Sequence, residues 1–476
     1  MLFPLVVTAS ILSAVDGLPT KAPDAVGMSS ARLEAIDRVV QRGISEGGYP
    51  GASVVVGRRG AAVWQKGFGR TGWTTESPRV TADRTIYDLA SLTKVVATTS
   101  AIMVLFDQGK IRLDDPVQRY LPEFSGPRKG GVTIRHLLTH RSGLPAGRDL
   151  WRTASNPARA RDLVFETPIY CAPGACYEYS DLGADVLGFL VERVSGERLD
   201  HFVDRTVFQP LGMHETFFKP ADSLRHRIAP TEVTPPRGFR LQGDVHDENA
   251  YALGGVAGHA GLFSTAADLS VFAQTLLNGG TYNGVRVFAD STVRLFTRRA
   301  AGTRALGWDT AYDGGVGAGQ YLSSHSYGHT GFTGTSMWVD PDRQMFVVLL
   351  TNRVHAARAR RPAKVISDVR NDLADAAAVA VTDMPSMAVA MPVSFRADRA
   401  TGWNDAPRAA RSSRNSRSAR SRAAAAARTA KAKKSASTAK KSTAKKSTAA
   451  KGTSKKATPA KKSAARKATA KKSSQA

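Results

Sequence analysis

Ser91 and Lys94 stand three residues apart in the stretch DLASLTKVVATTSAIMVLFDQGKI, residues 88 to 111. The apolar positions Val96, Ile102, Met103 and Leu105 predict a helix with a face in a core. In a helix, residues i and i+3 share a face with Cβ atoms roughly 5 to 6 Å apart, so the Lys94 amine can approach the Ser91 hydroxyl. That proximity matters because serine is a poor nucleophile until a neighbouring base takes its proton. A lysine serves as that base only if burial or a nearby cation lowers its pKa, which a cleft beneath a helix N-terminus can supply. The helix start also aims free N–H groups and a positive dipole end at the place where an acyl oxyanion would form. A four-residue SxxK pattern also arises by chance, and the alternative is a capping Ser91 with Lys94 snorkelling to solvent.

Two further stretches bear on that choice. YEYSDLGADVLGFLVERVSG places Tyr179, Ser180 and Asp181 on a loop just before a helix, and YGHTGFTG places His329, Thr330 and Gly331 at the start of a strand. With these motifs the chain resembles the serine β-lactamases and penicillin-binding proteins, in which SxxK, a Ser- or Tyr-x-Asn element and a Lys- or His-Thr-Gly strand surround one pocket. Order and spacing resemble the branch of class C β-lactamases, D-alanyl-D-alanine carboxypeptidases and related esterases. The segments 137–145, 194–216 and 254–280 are also similar to that family's connecting segments, so the resemblance covers about 25–380.

The resemblance implies Ser91 as the acylated nucleophile and Lys94 as the base that activates it. Tyr179 would shuttle a proton to the leaving group and help activate the deacylating water. The backbone N–H groups of Ser91 and Phe332 would form the oxyanion hole. Asp181, His329 and Thr330 would face the substrate, with Thr330 and His329 bonding its carboxylate or polarising Tyr179. Independently, Gly331 suits a site where a side chain would block a substrate lying along the strand.

Two positions depart from the β-lactamase pattern. Asp181 stands where those enzymes usually carry Asn, exchanging an amide donor for an acceptor that is charged unless its pKa is raised. His329 replaces their usual Lys, which weakens the fixed cation near neutral pH. Both changes disfavour efficient β-lactam hydrolysis, and histidine in this motif resembles the carboxypeptidase and esterase members, a resemblance that implies peptidase or ester hydrolysis.

The elements that must hold these residues follow from patterning. Residues 29–47 predict an amphipathic helix, and GASVVVGRRGAAVWQKGFGR predicts a hairpin turning at Arg58, Arg59 and Gly60. Helices are expected at 183–196, 265–278 and 363–380. HTGFTGTSMWVDP and QMFVVLLTN predict a second hairpin with its turn at Asp340, Pro341 and Asp342. Strands at both ends of the chain with helices between them predict an α/β (α+β) fold: one antiparallel sheet assembled from the termini, flanked by helices, beside a mostly helical insertion.

Charge divides the 476 residues. Of a formal +27, residues 407–476 carry +23, from 15 Lys and 8 Arg with no Asp or Glu, leaving +4 on the first 406. Such a tail cannot bury a core and is expected to be disordered, gaining affinity for a polyanion, DNA or an anionic envelope polymer, by counterion release. By composition it resembles the tails of linker histones and bacterial histone-like proteins. Residues 1–20, about a dozen apolar residues without charge before Asp16, are read as a signal peptide lacking the usual basic start, or as a disordered start. Export to the periplasm or cell envelope is favoured by that pattern; if the N-terminus is not a signal peptide the protein would be cytoplasmic. No other stretch reaches the ~18 uninterrupted apolar residues of a membrane span.

Cys171 and Cys176 flank a Pro173-Gly174 turn and could form a disulfide or stay as free thiols. His246, Asp247 and His259 could be imagined as metal ligands, but no closed ligand set is apparent, and no metal or cofactor is expected. GGVGAGQ at 314–320 imitates a dinucleotide loop without its strand and helix, and Trp338 is expected in the core. The domains expected are therefore 1–20, a hydrolase body at 25–380, a linker at 381–406 and the tail at 407–476. The function expected is a serine hydrolase acting through an acyl-enzyme on a small-molecule or peptide substrate. The alternative is a binding protein with a catalytically idle hydrolase-like scaffold and a polyanion-binding tail.

Overall fold

A computed structural model of the chain describes residues 17–312 and 316–396. The start up to Asp16, which carries most of the expected signal peptide, and the basic tail lie outside the described residues.

The first hairpin forms where it is expected. Strand β1 (Gly51–Arg58) turns into β2 (Ala61–Gly69) through Arg59 and Gly60, whose φ values of 50° and 82° give the left-handed pair that matches strand twist. The C-terminal strands complete the sheet: β3 (Asp309–Thr310), β4 (Tyr327–Thr330), β5 (Ser336–Asp340) and β6 (Met345–Thr351) give the order β2-β1-β6-β5-β4-β3, every pairing antiparallel. Val54 opposes Leu349 and Val56 opposes Val347, so strands from opposite ends of the chain are neighbours at the centre.

Both faces of this sheet are covered. Val54, Val56, Val347 and Leu349 pack with Ile36 and Val40 of α1 (Ala35–Ser45) and with Val369 and Leu373 of a C-terminal helix at Pro362–Val379. Val55, Val348 and Leu350 point the other way, into a core shared with the helical part. Double burial explains why β1 and β6 read as continuous apolar runs rather than as alternation.

Three expectations need correction. HTGFTGTSMWVDP is not one strand: β4 ends at Thr330 and β5 begins at Ser336, so His329 and Thr330 close a strand instead of opening one. Residues 381–396, expected to begin a linker, fold back onto the body, where Phe395 is buried, Asp383 pairs with Arg58 and Arg59, and Arg396 bonds Asp372 and Asp375. Leu18 is also buried, and Thr20 pairs beside Ala62 of β2, so the body starts before residue 25.

The insertion carries the helices. Ala90–Leu92 is a tight 3₁₀ turn, Lys94–Thr99 winds as a wide π-type helix, and α2 (Ser100–Asp107) continues the run. Ala90–Asp107 is long and apolar enough to cross a membrane by composition, yet 83% of it is buried inside the protein. Helices α3 (Asp181–Ser195) and α4 (Ala266–Leu277) match expectation within two residues at each end, and α5 (Pro362–Val379) within one. Trp338 is buried on β5, and the described part of GGVGAGQ is a loop whose Gly319 and Gln320 N–H groups bond Asn371 and Asp375 of α5.

Candidate active site

The site starts from a strained residue. Ala90 has φ +48°, a left-handed conformation that costs a non-glycine residue of order 1–2 kcal/mol. Buried Asp88 compensates: Oδ1 accepts the Ala90 N–H at 2.8 Å and Oδ2 accepts the His246 N–H at 2.7 Å. The turn so held presents Ser91 at the head of the wide helix.

Lys94 lies beneath it, 3% exposed. Its ammonium donates to Ser91 Oγ (2.9 Å) and to the His259 carbonyl (3.1 Å), forms an ion pair with Asp181 Oδ1 (2.7 Å), and lies 5.0 Å from the Tyr179 ring. Burial pushes the Lys94 pKa down, as a general base requires, but Asp181 and Tyr179 outweigh burial and hold it above its ordinary value. The expectation of a lowered Lys94 pKa is therefore corrected. An amide at position 181 would have left burial less opposed; the carboxylate keeps the proton on the lysine.

The tyrosine loop is fixed from both sides. Ser180 caps α3, its Oγ accepting the Gly183 N–H and donating to the Pro145 carbonyl, while the Asp181 N–H bonds Ala146 O. His140 Nδ1 accepts the Ser180 N–H at 3.0 Å, and its ring packs 4.6 Å from that of Tyr179. Burial, with Arg304 and Lys94 nearby, keeps His140 neutral. Upstream, Cys171 and Cys176 are joined in a disulfide around the Pro173-Gly174 turn, which settles the alternative the sequence left open.

The third wall is the end of β4 and the loop after it. His329 is 2% exposed, and burial brings its pKa down to about 4, so the ring is neutral near pH 7. Its Nδ1–H donates to the Thr330 carbonyl, leaving Nε2 a buried acceptor without a partner among the described residues. Thr333 and Thr335 Oγ1 donate to the carbonyls of Asp88 and Leu89, and Arg370 clamps the carbonyls of Gly331 and Thr335. A Cβ on Gly331 would collide with Leu89 O and Thr335 Oγ1, so glycine is needed for this close approach of backbones rather than for substrate clearance alone. The N–H groups of Ser91 and Phe332 have no acceptor among the described residues, and both are available to an oxyanion.

Ser91, Tyr179, His329, Thr330, Gly331 and Phe332 line one cleft of about 400 Å³, and Lys94 and Asp181 join it through the Ser91 and ammonium contacts. All eight predicted residues are thus brought together. The same cleft holds Arg304, Arg353 and Arg370, which motif reading missed because each lies outside the three motifs. Arg304 is paired with Asp309, whereas Arg353 has no ion-pair partner among the described residues and lies 4.5 Å from the exposed Phe332 ring. A larger cavity of about 820 Å³, lined by Trp151, Tyr251 and Phe263 among others, contains none of the eight.

The histidines considered as metal ligands have other work. His246 Nε2 pairs with Glu232 at 2.7 Å. His259 bonds Asp185 through Nδ1 (2.6 Å) and Asp247 through Nε2 (3.0 Å), and these carboxylates raise its pKa well above the usual value against its burial. The imidazolium so clamped sets the carbonyl that accepts from Lys94. Among the described residues no group of three His, Cys, Asp or Glu side chains is arranged for a metal ion.

The Beta-lactamase family model matches residues 36–370. A protein of Salmonella agona (strain SL483), named "Putative D-alanyl-D-alanine carboxypeptidase", is 36% identical over 375 residues, covering 71% of this chain and 87% of its own length. The solved structure of EstCE1, titled a hydrolase with promiscuous acyltransferase activity, is 25% identical with a TM-score of 0.56, covering 72% of this chain and 99% of its own. A class C beta-lactamase at 18% identity shares the fold, with a TM-score of 0.56 over 72% of this chain and 96% of its own.

Proposed function

Because the chain belongs to the beta-lactamase family and is a serine hydrolase, we propose that Ser91 is its acylated nucleophile and that its substrate ends in a free carboxylate, as a D-alanyl-D-alanine peptide does. The observation that carries this reading is the 2.9 Å contact of Lys94 Nζ with Ser91 Oγ at the cleft shared with Tyr179 and Gly331.

The reaction runs in two halves. Lys94, once it has given up a proton, accepts the Ser91 hydroxyl proton while Oγ attacks the substrate carbonyl. The oxyanion is met by the N–H groups of Ser91 and Phe332, held in place by Thr333, Thr335 and Arg370. Tyr179 delivers a proton to the departing amine or alcohol, leaving an acyl-Ser91 ester. Water attacks that ester with Tyr179 taking its proton, and Lys94 returns its proton to the departing Ser91 Oγ, which releases the acid and restores Ser91.

Substrate choice follows from charge. The neutral His329 offers no cation to a carboxylate, so that role passes to Arg353 at the cleft, with the Thr330 hydroxyl beside it. Ester hydrolysis is the second reading, favoured by the same neutral His329, because an ester without a carboxylate has no need of a lysine there. Labelling with a fluorescent penicillin and acylation by an activated ester test the nucleophile: Ser91→Ala abolishes both if the assignment is right. No acylation of the unmodified protein by either probe favours the idle scaffold.

For the flanking segments the reading rests on composition. Residues 407–476 bind a polyanion through counterion release, an envelope polymer if the chain is exported and DNA if it is not. Deleting them is expected to abolish salt-sensitive retention on DNA without changing ester turnover; equal retention by the truncated protein refutes it. Export to the envelope brings a peptide substrate within reach, and mass spectrometry of the mature N-terminus decides it.

A further inference from the structure

A second cavity of about 400 Å³ is lined by Arg135, His136, Arg141, Arg298 and Arg299, together with Gly174 and small or apolar residues. No Asp or Glu is among its lining residues. The charges do not cancel. Arg135 is neutralised by Asp114 through two bonds of 2.7 and 2.8 Å. Arg141 instead aims Nε and one terminal nitrogen at the Gly174 carbonyl, which neutralises nothing. Arg299 lies 3.9 Å from the Tyr312 ring, and Arg298 is exposed. Among the described residues no carboxylate lies within 4 Å of Arg141, Arg298 or Arg299. The field reaches His136, whose pKa is lowered first by burial and further by Arg141 and Arg135.

Three guanidinium groups around one concavity repel one another, and a solvated surface would let them spread apart. Here Arg141 is tethered to the Gly174 turn, while Arg298 and Arg299 sit at the end of the helix Asp290–Thr297. A single carboxylate would leave two of the three charges unmatched. A phosphate group carries more charge and presents several oxygens to planar guanidinium forks. The volume exceeds that of a lone ion and suits a diphosphate or a short run of a phosphodiester polymer.

We infer that this cavity is a binding site for phosphate oxyanions, separate from the hydrolytic cleft, with Arg141, Arg298 and Arg299 as its ligands. The ligand would touch the residue after His140, which packs on Tyr179, and the turn inside the Cys171–Cys176 loop. An anchored phosphate-bearing molecule would therefore sit against the segments that hold the tyrosine loop.

The test is hydrogen–deuterium exchange on the full chain, because separate peptides are read and the basic tail cannot obscure the result. One arm adds inorganic pyrophosphate and the other adds poly(glycerol phosphate), each against sodium chloride of equal ionic strength. Protection is expected in peptides covering 135–141, 171–176 and 296–302. The double variant Arg298→Glu, Arg299→Glu should raise the half-saturating concentration at least ~10-fold, whereas Arg38→Glu, exposed on α1, should not. Protection by the polymer alone identifies a phosphodiester chain as the source, and protection by pyrophosphate alone a small phosphate ester. Absence of protection in both arms, or equal half-saturation in the double variant, overturns the inference.

Discussion

Asp181 Oδ1 and Lys94 Nζ are 2.7 Å apart, and the same nitrogen is 2.9 Å from Ser91 Oγ. The carboxylate thus competes with the nucleophile for the lysine. While Lys94 stays an ammonium it donates to Ser91 and cannot accept its proton, so the site is poised toward alkaline pH. The other groups around it are Tyr179, His259, Asp185 and Asp247, with neutral His140 and His329.

Removing the carboxylate charge should release the base. In Asp181→Asn, only Tyr179 is left to oppose the downward pull of burial on the Lys94 pKa, and the rising limb of kcat/KM for an activated ester should move to lower pH by at least ~1 unit. The sign follows from the titrating group: a lowered pKa makes the neutral amine available at lower pH. A limb that stays in place means that Lys94 is not the titrating base, and the role passes to Tyr179.

Arg353 should separate charged from neutral substrates. Its guanidinium lies at the cleft beside Phe332 and has no carboxylate partner among the described residues. In Arg353→Gln, KM for a peptide ending in D-alanyl-D-alanine should rise ~10- to 100-fold, the worth of a hydrogen bond to a charged group. KM for a neutral ester should stay within about twofold. Equal losses on both substrates would show that the residue supports the Phe332 loop and does not read the carboxylate.

How much of this was legible depended on distance along the chain. Ser91 and Lys94 are three residues apart, so helical periodicity alone joins them, and Arg59-Gly60 announces its hairpin through turn chemistry. The grip of Asp181 on Lys94 spans 87 residues, and the bonds from Thr333 and Thr335 to Asp88 and Leu89 span 245 and 246. No local pattern carries such contacts. Resemblance brought Asp181 to the pocket, but its carboxylate was read as facing substrate, and only the fold aims it at the lysine. Arg370 and Arg353 were invisible for another reason: an arginine in a late helix or after a strand reads as surface charge until packing places it. The split between β4 and β5 was hidden because GFTGT alternates well enough to pass for continuous strand.

Gly331 tests the oxyanion hole. A methyl group there would strike Leu89 O and Thr335 Oγ1, pushing the loop from the segment that bears Ser91 and carrying the Phe332 N–H out of line. Gly331→Ala should lower kcat for an activated ester ~10²- to 10³-fold, the usual loss for one oxyanion donor. Thr335→Val removes only the 2.9 Å bond to Leu89 O and should cost far less. A Gly331→Ala enzyme within threefold of the parent would remove Phe332 from the oxyanion hole.

His259 should govern stability at alkaline pH. Asp185 and Asp247 raise its folded pKa well above the ordinary histidine value. The stability this contributes is therefore complete below about pH 6.5 and is lost as pH rises through the folded pKa. His259→Gln leaves both carboxylates without their cation and should cost about 3–5 kcal/mol, the range for breaking a buried pair. The parent's thermal midpoint should then fall more steeply than the variant's from about pH 7 upward, because only the parent has an imidazolium to lose. Calorimetry across that range checks the slope, and parallel curves would mean that His259 is already neutral in the folded protein. Since the His259 carbonyl also accepts from Lys94, the variant should acylate more slowly even at temperatures where it is fully folded.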